Sequence, residues 1–351
     1  MWKRIASWFT ANAEHCTRQF LPEPGAQPIR ADQGYVRLWL SEGFLAKRRT
    51  WGNDHAAVMH GGLSLRLLGR PGIAFTTVAS LPDQPARAGE YLDYDVTPLL
   101  PFTGGVVEIE SALYRTSADG LLAGAAAIAG GLKPLLGPPL STAIEMAEKV
   151  SESVAHLLTA TDERPLLGIH WSPQSGEGGG AGSAGGSGAR GGVTPGHLVL
   201  IDTPPGTIQG SLAIEGGRLV VQGNAGPERL VGYNYLVLRL ECTTTREEWR
   251  QPELQALIDA ARQAVIYGEL DTYRRLRREA VVRAATCPDF IPADQKRVAV
   301  LVGEMVEEAA QLGASADPQT SLAAAAAERL PDAQDPRVLY FDLDELIKYE
   351  E

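Results

Sequence analysis

The residues most capable of chemistry are histidines and aspartates that fall close together in the chain. Asp54, His55 and His60 share one short stretch, and imidazole with carboxylate suits a divalent ion. If residues 51–62 form a loop that folds back, a metal-dependent hydrolase centred on His55 and His60 is one reading, although no fourth ligand stands at a defined spacing. Asp93 and Asp95 alternate onto one side of a strand end, where paired loop aspartates can hold Ca²⁺. His170, His197 and Asp202 flank a glycine-rich stretch and are candidates to converge, yet no nucleophile accompanies them.

The motifs that would assign a reaction are missing: there is no G-x-S-x-G elbow, no G-x-x-x-x-G-K-[ST] and no H-E-x-x-H. His60-Gly61-Gly62 reads as a pair of turn glycines after a lone histidine. Gly180-Ala-Gly182-Ser-Ala-Gly185 spells a dinucleotide fingerprint, but no helix can start in the glycines that follow it. The chain therefore names no catalytic residue, and neither a cofactor nor a small-molecule substrate is expected.

The C-terminus points to binding instead. Val338, Tyr340, Phe341, Leu343, Leu346, Ile347 and Tyr349 are too many apolar groups for a solvated end, and Asp342, Asp344, Glu345, Glu350 and Glu351 oppose only Lys348. A short acidic and apolar segment behind a linker is how a tethered docking peptide is built. Tyr340, Phe341, Leu343, Leu346, Ile347 and Tyr349 are the expected partner-binding residues; the alternative is that they pack on their own domain. A natural opposite lies upstream, where Arg274, Arg275, Arg277, Arg278 and Arg283 crowd one helical stretch against Glu279. That stretch reads as a solvated helix face, as a seat for an acidic partner or the tail, or as a nucleic-acid patch.

Overall charge disfavours the last option. With 32 basic against 43 acidic residues, the chain carries −11 and repels phosphate backbones. Three cysteines, Cys16, Cys242 and Cys287, have no metal-ligand or redox spacing and form no disulfide framework. The Ala, Gly and Arg bias fits a bacterial source. No transmembrane span is expected, although contact with a membrane surface is possible, and the expected location is the cytoplasm.

The elements that must carry these residues change character along the chain. Residues 1–34 begin with an amphipathic helix, since Trp2, Ile5, Phe9, Ala13, Cys16 and Phe20 recur at three- and four-residue steps. Residues 35–249 alternate with a period of two, and ten strands are expected at 35–40, 63–68, 73–79, 91–96, 106–114, 166–171, 197–201, 212–214, 219–221 and 235–242. Gly216-Gly217 supplies a two-residue hairpin turn, and Cys242 shares the core face of the last strand with Leu236, Leu238 and Leu240. A helical hairpin at 120–160 and a Gly/Ser loop at 175–192 interrupt the strands. The helical insertion holds an apolar run of about 12 residues, short of the roughly 20 needed to cross a bilayer.

Helical periodicity takes over at 250–313, in three segments opened by Pro252, near Asp271 and by Pro292 and Asp294. A linker at 314–337 and the tail at 338–351 follow. The expected fold is mainly β with α additions: an antiparallel β-sandwich with an inserted helical hairpin and a small C-terminal helical unit. Three functions follow, in order: a non-enzymatic adaptor subunit of a bacterial multiprotein system, docking another protein chain through its tail; a membrane-perturbing effector released by cleavage or partner binding; and the metal-dependent hydrolase around His55 and His60.

Overall fold

A computed structural model describes residues 13–47, 49–50, 53–54, 56–66, 73–80, 90–116, 149–150, 152–154, 165–173, 192–312 and 329–348. Trp2, Ile5 and Phe9 of the expected N-terminal helix, His55, Tyr349, nearly all of the 120–160 hairpin, all but the last residue of the 175–192 loop and the first part of the 314–337 linker lie outside them. The chain divides into two units. The first holds the described residues up to Thr243, apart from 32–35, and the second holds 32–35 and 244–348.

The first unit is built of antiparallel strands, as the alternation requires. Its strands are β1 (Thr17–Pro22), β2 (Tyr35–Phe44, whose first residue belongs to the second unit), β3 (Arg49–Thr50), β4 (Asn53–Asp54), β5 (Ala56–Arg66), β6 (Ile73–Ser80), β7 (Glu90–Asp95), β8 (Leu100–Pro101), β9 (Val106–Thr116), β10 (Leu167–Trp171), β11 (Gly196–Ile201), β12 (Ser211–Glu215), β13 (Arg218–Gly223), β14 (Gly226–Arg229) and β15 (Tyr235–Thr243). One sheet runs β1-β11-β15-β2-β7 with β8 on β2; a second runs β10-β9-β5-β6, a third β12-β13-β14, and β3 pairs with β4. A strand is present at each of the ten expected places, residues 67 and 68 lying outside the described ones. Gly216 and Gly217, at φ 55° and 75°, make the turn between β12 and β13, a backbone conformation that glycine adopts without strain.

Two expectations fail locally. Cys16 and Phe20 do not continue a helix: a short 3₁₀ turn spans Ala13–His15, and Thr17–Pro22 forms β1, paired residue for residue with β11 from Thr17↔Ile201 to Pro22↔Gly196. Backbone hydrogen bonds to an existing strand outweigh a three- and four-residue apolar spacing that six residues are too few to enforce. Likewise 56–62 is no loop, because β5 runs unbroken through His60, Gly61 and Gly62.

The glycines of β5 are packing residues. A Cβ on Gly61 would lie 2.7 Å from Leu40 Cδ2 and 3.1 Å from Val96 Cγ2, so Leu40 of β2 rests directly on the β5 backbone. Interior glycine in a strand marks this kind of close approach. Around it, Leu38, Leu40, Met59, Leu63, Leu65, Phe75, Ile109, Leu113, Leu167 and Ile169 are buried, giving the sandwich-like core of the unit.

The second unit contains α1 (Pro252–Ile266), α2 (Leu270–Ala285), α3 (Pro292–Leu312) and two short helices, α4 (Pro336–Leu339) and α5 (Leu343–Ile347). Leu254, Ile258 and Ala261 follow the i, i+4, i+7 steps of a buried stripe and meet Tyr273, Ala280, Val281 and Ala284 of α2 and Val298, Leu301, Val302, Met305 and Val306 of α3. Among the described residues no helix is long and apolar enough to cross a membrane.

Candidate functional site

The C-terminal segment lies on its own helical unit. Asp335 accepts from the backbone N–H of Arg337 at 2.9 Å and caps α4, with Pro336 in the first helical position. The end of the expected linker is thus an ordered helix start, and the Asp-Pro pair was its signal. Arg297 Nε donates to the Pro331 carbonyl at 2.6 Å, and Arg337 pairs with Glu304 of α3. Beyond that point Val338 is buried, while Phe341, Leu343, Leu346 and Ile347 are half-buried against the α1–α3 core. Tyr340 faces the other way and is 82% exposed, with Leu339 beside it at 54%. Of the six expected partner-binding residues, four therefore meet their own unit, Tyr340 meets solvent, and Tyr349 is outside the described residues.

Two features of α2 and α3 receive this segment. Arg277 is 3% exposed and donates from Nη1 to the Leu346 carbonyl at 2.7 Å, while its Nη2 pairs with Glu307. Gly303, inside α3, leaves room for Leu346, whose Cδ1 would sit 3.3 Å from a Cβ placed there. Glycine inside a helix costs about 1 kcal/mol relative to alanine, so the space is gained at the expense of α3. Three of the other four arginines of α2 have acidic partners of their own: Arg274 pairs with Asp271 at 3.6 Å, Arg275 with Glu279 at 3.4 Å and Arg283 with Glu253. The seat for the tail is one buried arginine within that stretch.

The strongest acid–base constellation is elsewhere, in the β10-β9-β5-β6 sheet. His60 of β5 and Glu110 of β9 are both fully buried, with Nε2 and Oε1 3.0 Å apart. The other ring nitrogen, Nδ1, lies 3.0 Å from the Thr77 carbonyl, which can only accept, so Nδ1 carries the hydrogen. Nε2 and Oε1 then face each other at hydrogen-bond distance, each being the other's only side-chain partner at that atom. Gly62 makes the arrangement possible, because its Cβ would stand 3.1 Å from Glu110 Cγ. Ser111 lies on the opposite face and donates from Oγ to the His60 carbonyl at 2.5 Å. It does not meet the imidazole.

This geometry bears on the histidine readings. Both nitrogens of His60 are engaged within the sheet, so binding a metal ion would first break one of those hydrogen bonds. Among the described residues no group of three or more His, Cys, Asp or Glu side chains is placed to hold an ion. Asp93 and Asp95 do not alternate simply: the register shifts between Leu40 and Glu42, and Asp93 is exposed with φ at 39°. His170 is on β10 and His197 on β11, in different sheets, and Asp202 accepts from Asn234 Nδ2 at 2.8 Å. Burial, followed by Arg239, pulls the His197 imidazole below its ordinary range.

The thiols are structural. Cys16 is buried and Cys242 half-buried, and desolvation pushes them up to about 11 and about 12. Cys287 is buried too and is also raised, chiefly by desolvation.

A second buried carboxylate escaped the sequence reading. Glu42 of β2 is fully buried, accepts from Leu219 N at 2.8 Å and Tyr235 Oη at 2.9 Å, and pairs with Arg229. It thereby ties β2 to β13, β14 and β15. Its only signal was a charged residue in the apolar run Leu38-Trp-Leu-Ser-Glu-Gly-Phe44, and Glu110 in Val106-Val-Glu-Ile-Glu-Ser-Ala112 gave the same one. No protein family, curated protein or solved structure matches the chain.

Proposed function

We propose that the chain is a non-enzymatic binding or adaptor subunit of a bacterial, cytoplasmic multiprotein system, which engages another protein chain through its C-terminal segment. The observation that supports this reading is where apolar side chains stay in water. Among the described residues the exposed large hydrophobics are Val106, Val231, Ile266, Tyr267, Leu270, Leu339 and Tyr340, so five of the seven lie on the helical unit and its tail. Single exposed apolar groups are ordinary, but Leu339 and Tyr340 are adjacent and sit on a turn whose other side, Val338, is anchored in the unit. Tyrosine held this way offers contact area at low entropic cost.

The test compares proteins recovered from a native lysate by tagged full-length chain, by full-length chain carrying Leu339→Ala and Tyr340→Ala, and by a version ending at Pro336. The reading expects one stoichiometric partner that only the unsubstituted chain retains. Equal recovery of the same proteins by all three would refute it.

A further inference from the structure

We infer that the α2–α3 face around Arg277 and Gly303 is a docking groove for a short acidic amphipathic helix of another protein, and that the chain's own tail is its resident competitor. The groove is distinct from the outward Leu339–Tyr340 surface: it takes the inward side of the tail, and it becomes available only when the tail leaves.

The features the groove recognises are general ones. Leu343, Leu346 and Ile347 present apolar groups at i, i+3 and i+4, the spacing by which one face of any helix enters a groove. Arg277 binds the Leu346 main-chain carbonyl in the last turn of α5. It reads an unpaired helix-end acceptor that every helix possesses, and a cation there also complements the helix dipole. Gly303 shapes the floor for a leucine-sized side chain. The resident tail sets the charge of the occupant: after Phe341 it has five acidic residues against Lys348, and it lies beside a helix on which Arg278, next to Arg277, is exposed.

The hold on the tail is also modest. α4 and α5 have four and five residues, far below the length at which an isolated helix is stable. Phe341, Leu343, Leu346 and Ile347 are only half-buried, and the Arg337 ion pairs are exposed ones, of the kind worth little. What favours the tail is tethering, which gives it an effective concentration on the order of millimolar. A free peptide of the same chemistry must compete against that concentration, so removing the competitor raises its apparent affinity about tenfold or more.

The experiment uses full-length protein and, as probe, a fluorescent synthetic peptide covering Asp335–Glu351. Wild-type chain is compared with full-length chain carrying Leu343→Ser, Leu346→Ser and Ile347→Ser, and with that variant further changed by Gly303→Leu. The expected result is binding to the triple variant at least about tenfold tighter than to wild type, loss of binding on Gly303→Leu, and weakening as salt is raised. Equal binding to wild type and triple variant, or binding indifferent to Gly303→Leu, overturns the groove. Hydrogen exchange on the unsubstituted chain reads the same competition without relying on any variant to fold: excess peptide must accelerate exchange of the amides at 343–348, and unchanged exchange overturns the inference. Concentration-dependent dimerisation of the wild-type chain through exchanged tails overturns the assignment to another protein and gives the groove to a second copy. Failure of this titration leaves the lysate comparison untouched, because that depends on Leu339 and Tyr340.

Discussion

Removing His60 tests the buried pair most directly, because each partner of Glu110 can be counted. In His60→Ala the Glu110 carboxylate stays fully buried, its Oε1 loses the imidazole, and its Oε2 has no hydrogen-bond partner to begin with. Breaking a buried pair in this way costs about 3–5 kcal/mol, against about 5–15 kcal/mol for the whole stability of an ordinary domain. Glu110→Ala leaves a neutral imidazole with one unmet nitrogen, at about 1–3 kcal/mol. Glu110→Gln costs least, since its amide can donate to Nε2 while Nδ1 keeps the Thr77 carbonyl. The predicted order of destabilisation is therefore His60→Ala, then Glu110→Ala, then Glu110→Gln. The double alanine variant should be less unstable than the sum of its parts, because no buried carboxyl or imidazole is left without its partner. Urea unfolding followed by tryptophan fluorescence reads this, with Trp171 on the neighbouring strand β10 as a local reporter. A His60→Ala loss below about 1 kcal/mol, or strict additivity in the double variant, would refute the account of His60 and Glu110 as one buried unit.

Three other outcomes are expected. Gly61→Ala should destabilise the first unit by about 1–3 kcal/mol through the Leu40 contact, and Leu40→Ala in the same chain should recover part of the loss; a neutral Gly61→Ala in thermal unfolding contradicts the close packing. At pH 8 the native thiols should react with a disulfide reagent far more slowly than in urea, since a Cys16 pKa of about 11 leaves about a thousandth as thiolate; fast labelling of any thiol in the native chain contradicts its burial. Asp335 is held down to about 2, by its side-chain and backbone hydrogen bonds from Arg337. Its folded value lies below its unfolded one, so its capping contribution is complete above about pH 4 and fades as pH falls through about 2; a carboxyl titration by NMR with a midpoint near the free value contradicts the cap.

Much of this architecture was legible because it is periodic. Strands such as Val106–Thr116 and Tyr235–Thr243 alternate over enough residues to overrule local noise, and the three long helices carry stripes such as Leu254, Ile258 and Ala261. Short elements were not legible: β3, β4 and β8 have two residues each and exist only through their partners. β1 was misread because Cys16 and Phe20 fell at helical spacing, while the decisive interaction is with β11, far along the chain. Gly61 and Gly62 illustrate a different limit, as the same letters serve a turn or a close approach, and only Leu40 and Glu110 distinguish them. The tail was recognised as apolar and acidic, but its seat required Arg277 and Gly303, on two separate helices, to meet the same leucine.

The order β1-β11-β15-β2-β7 places the last strand of the first unit at the centre of its largest sheet. A chain emerging from the ribosome can therefore make β2 early but must leave one of its edges bare until residues 235–243 arrive. Glu42 waits just as long, for its hydrogen-bonding partners lie 177 to 193 residues downstream. At about 5–20 residues per second that interval is roughly ten to forty seconds, during which a hydrated carboxylate sits near the end of a mainly apolar strand. Charges on a bare strand discourage pairing with the wrong chain, and the residue that later locks four strands together is one such charge until its partners arrive.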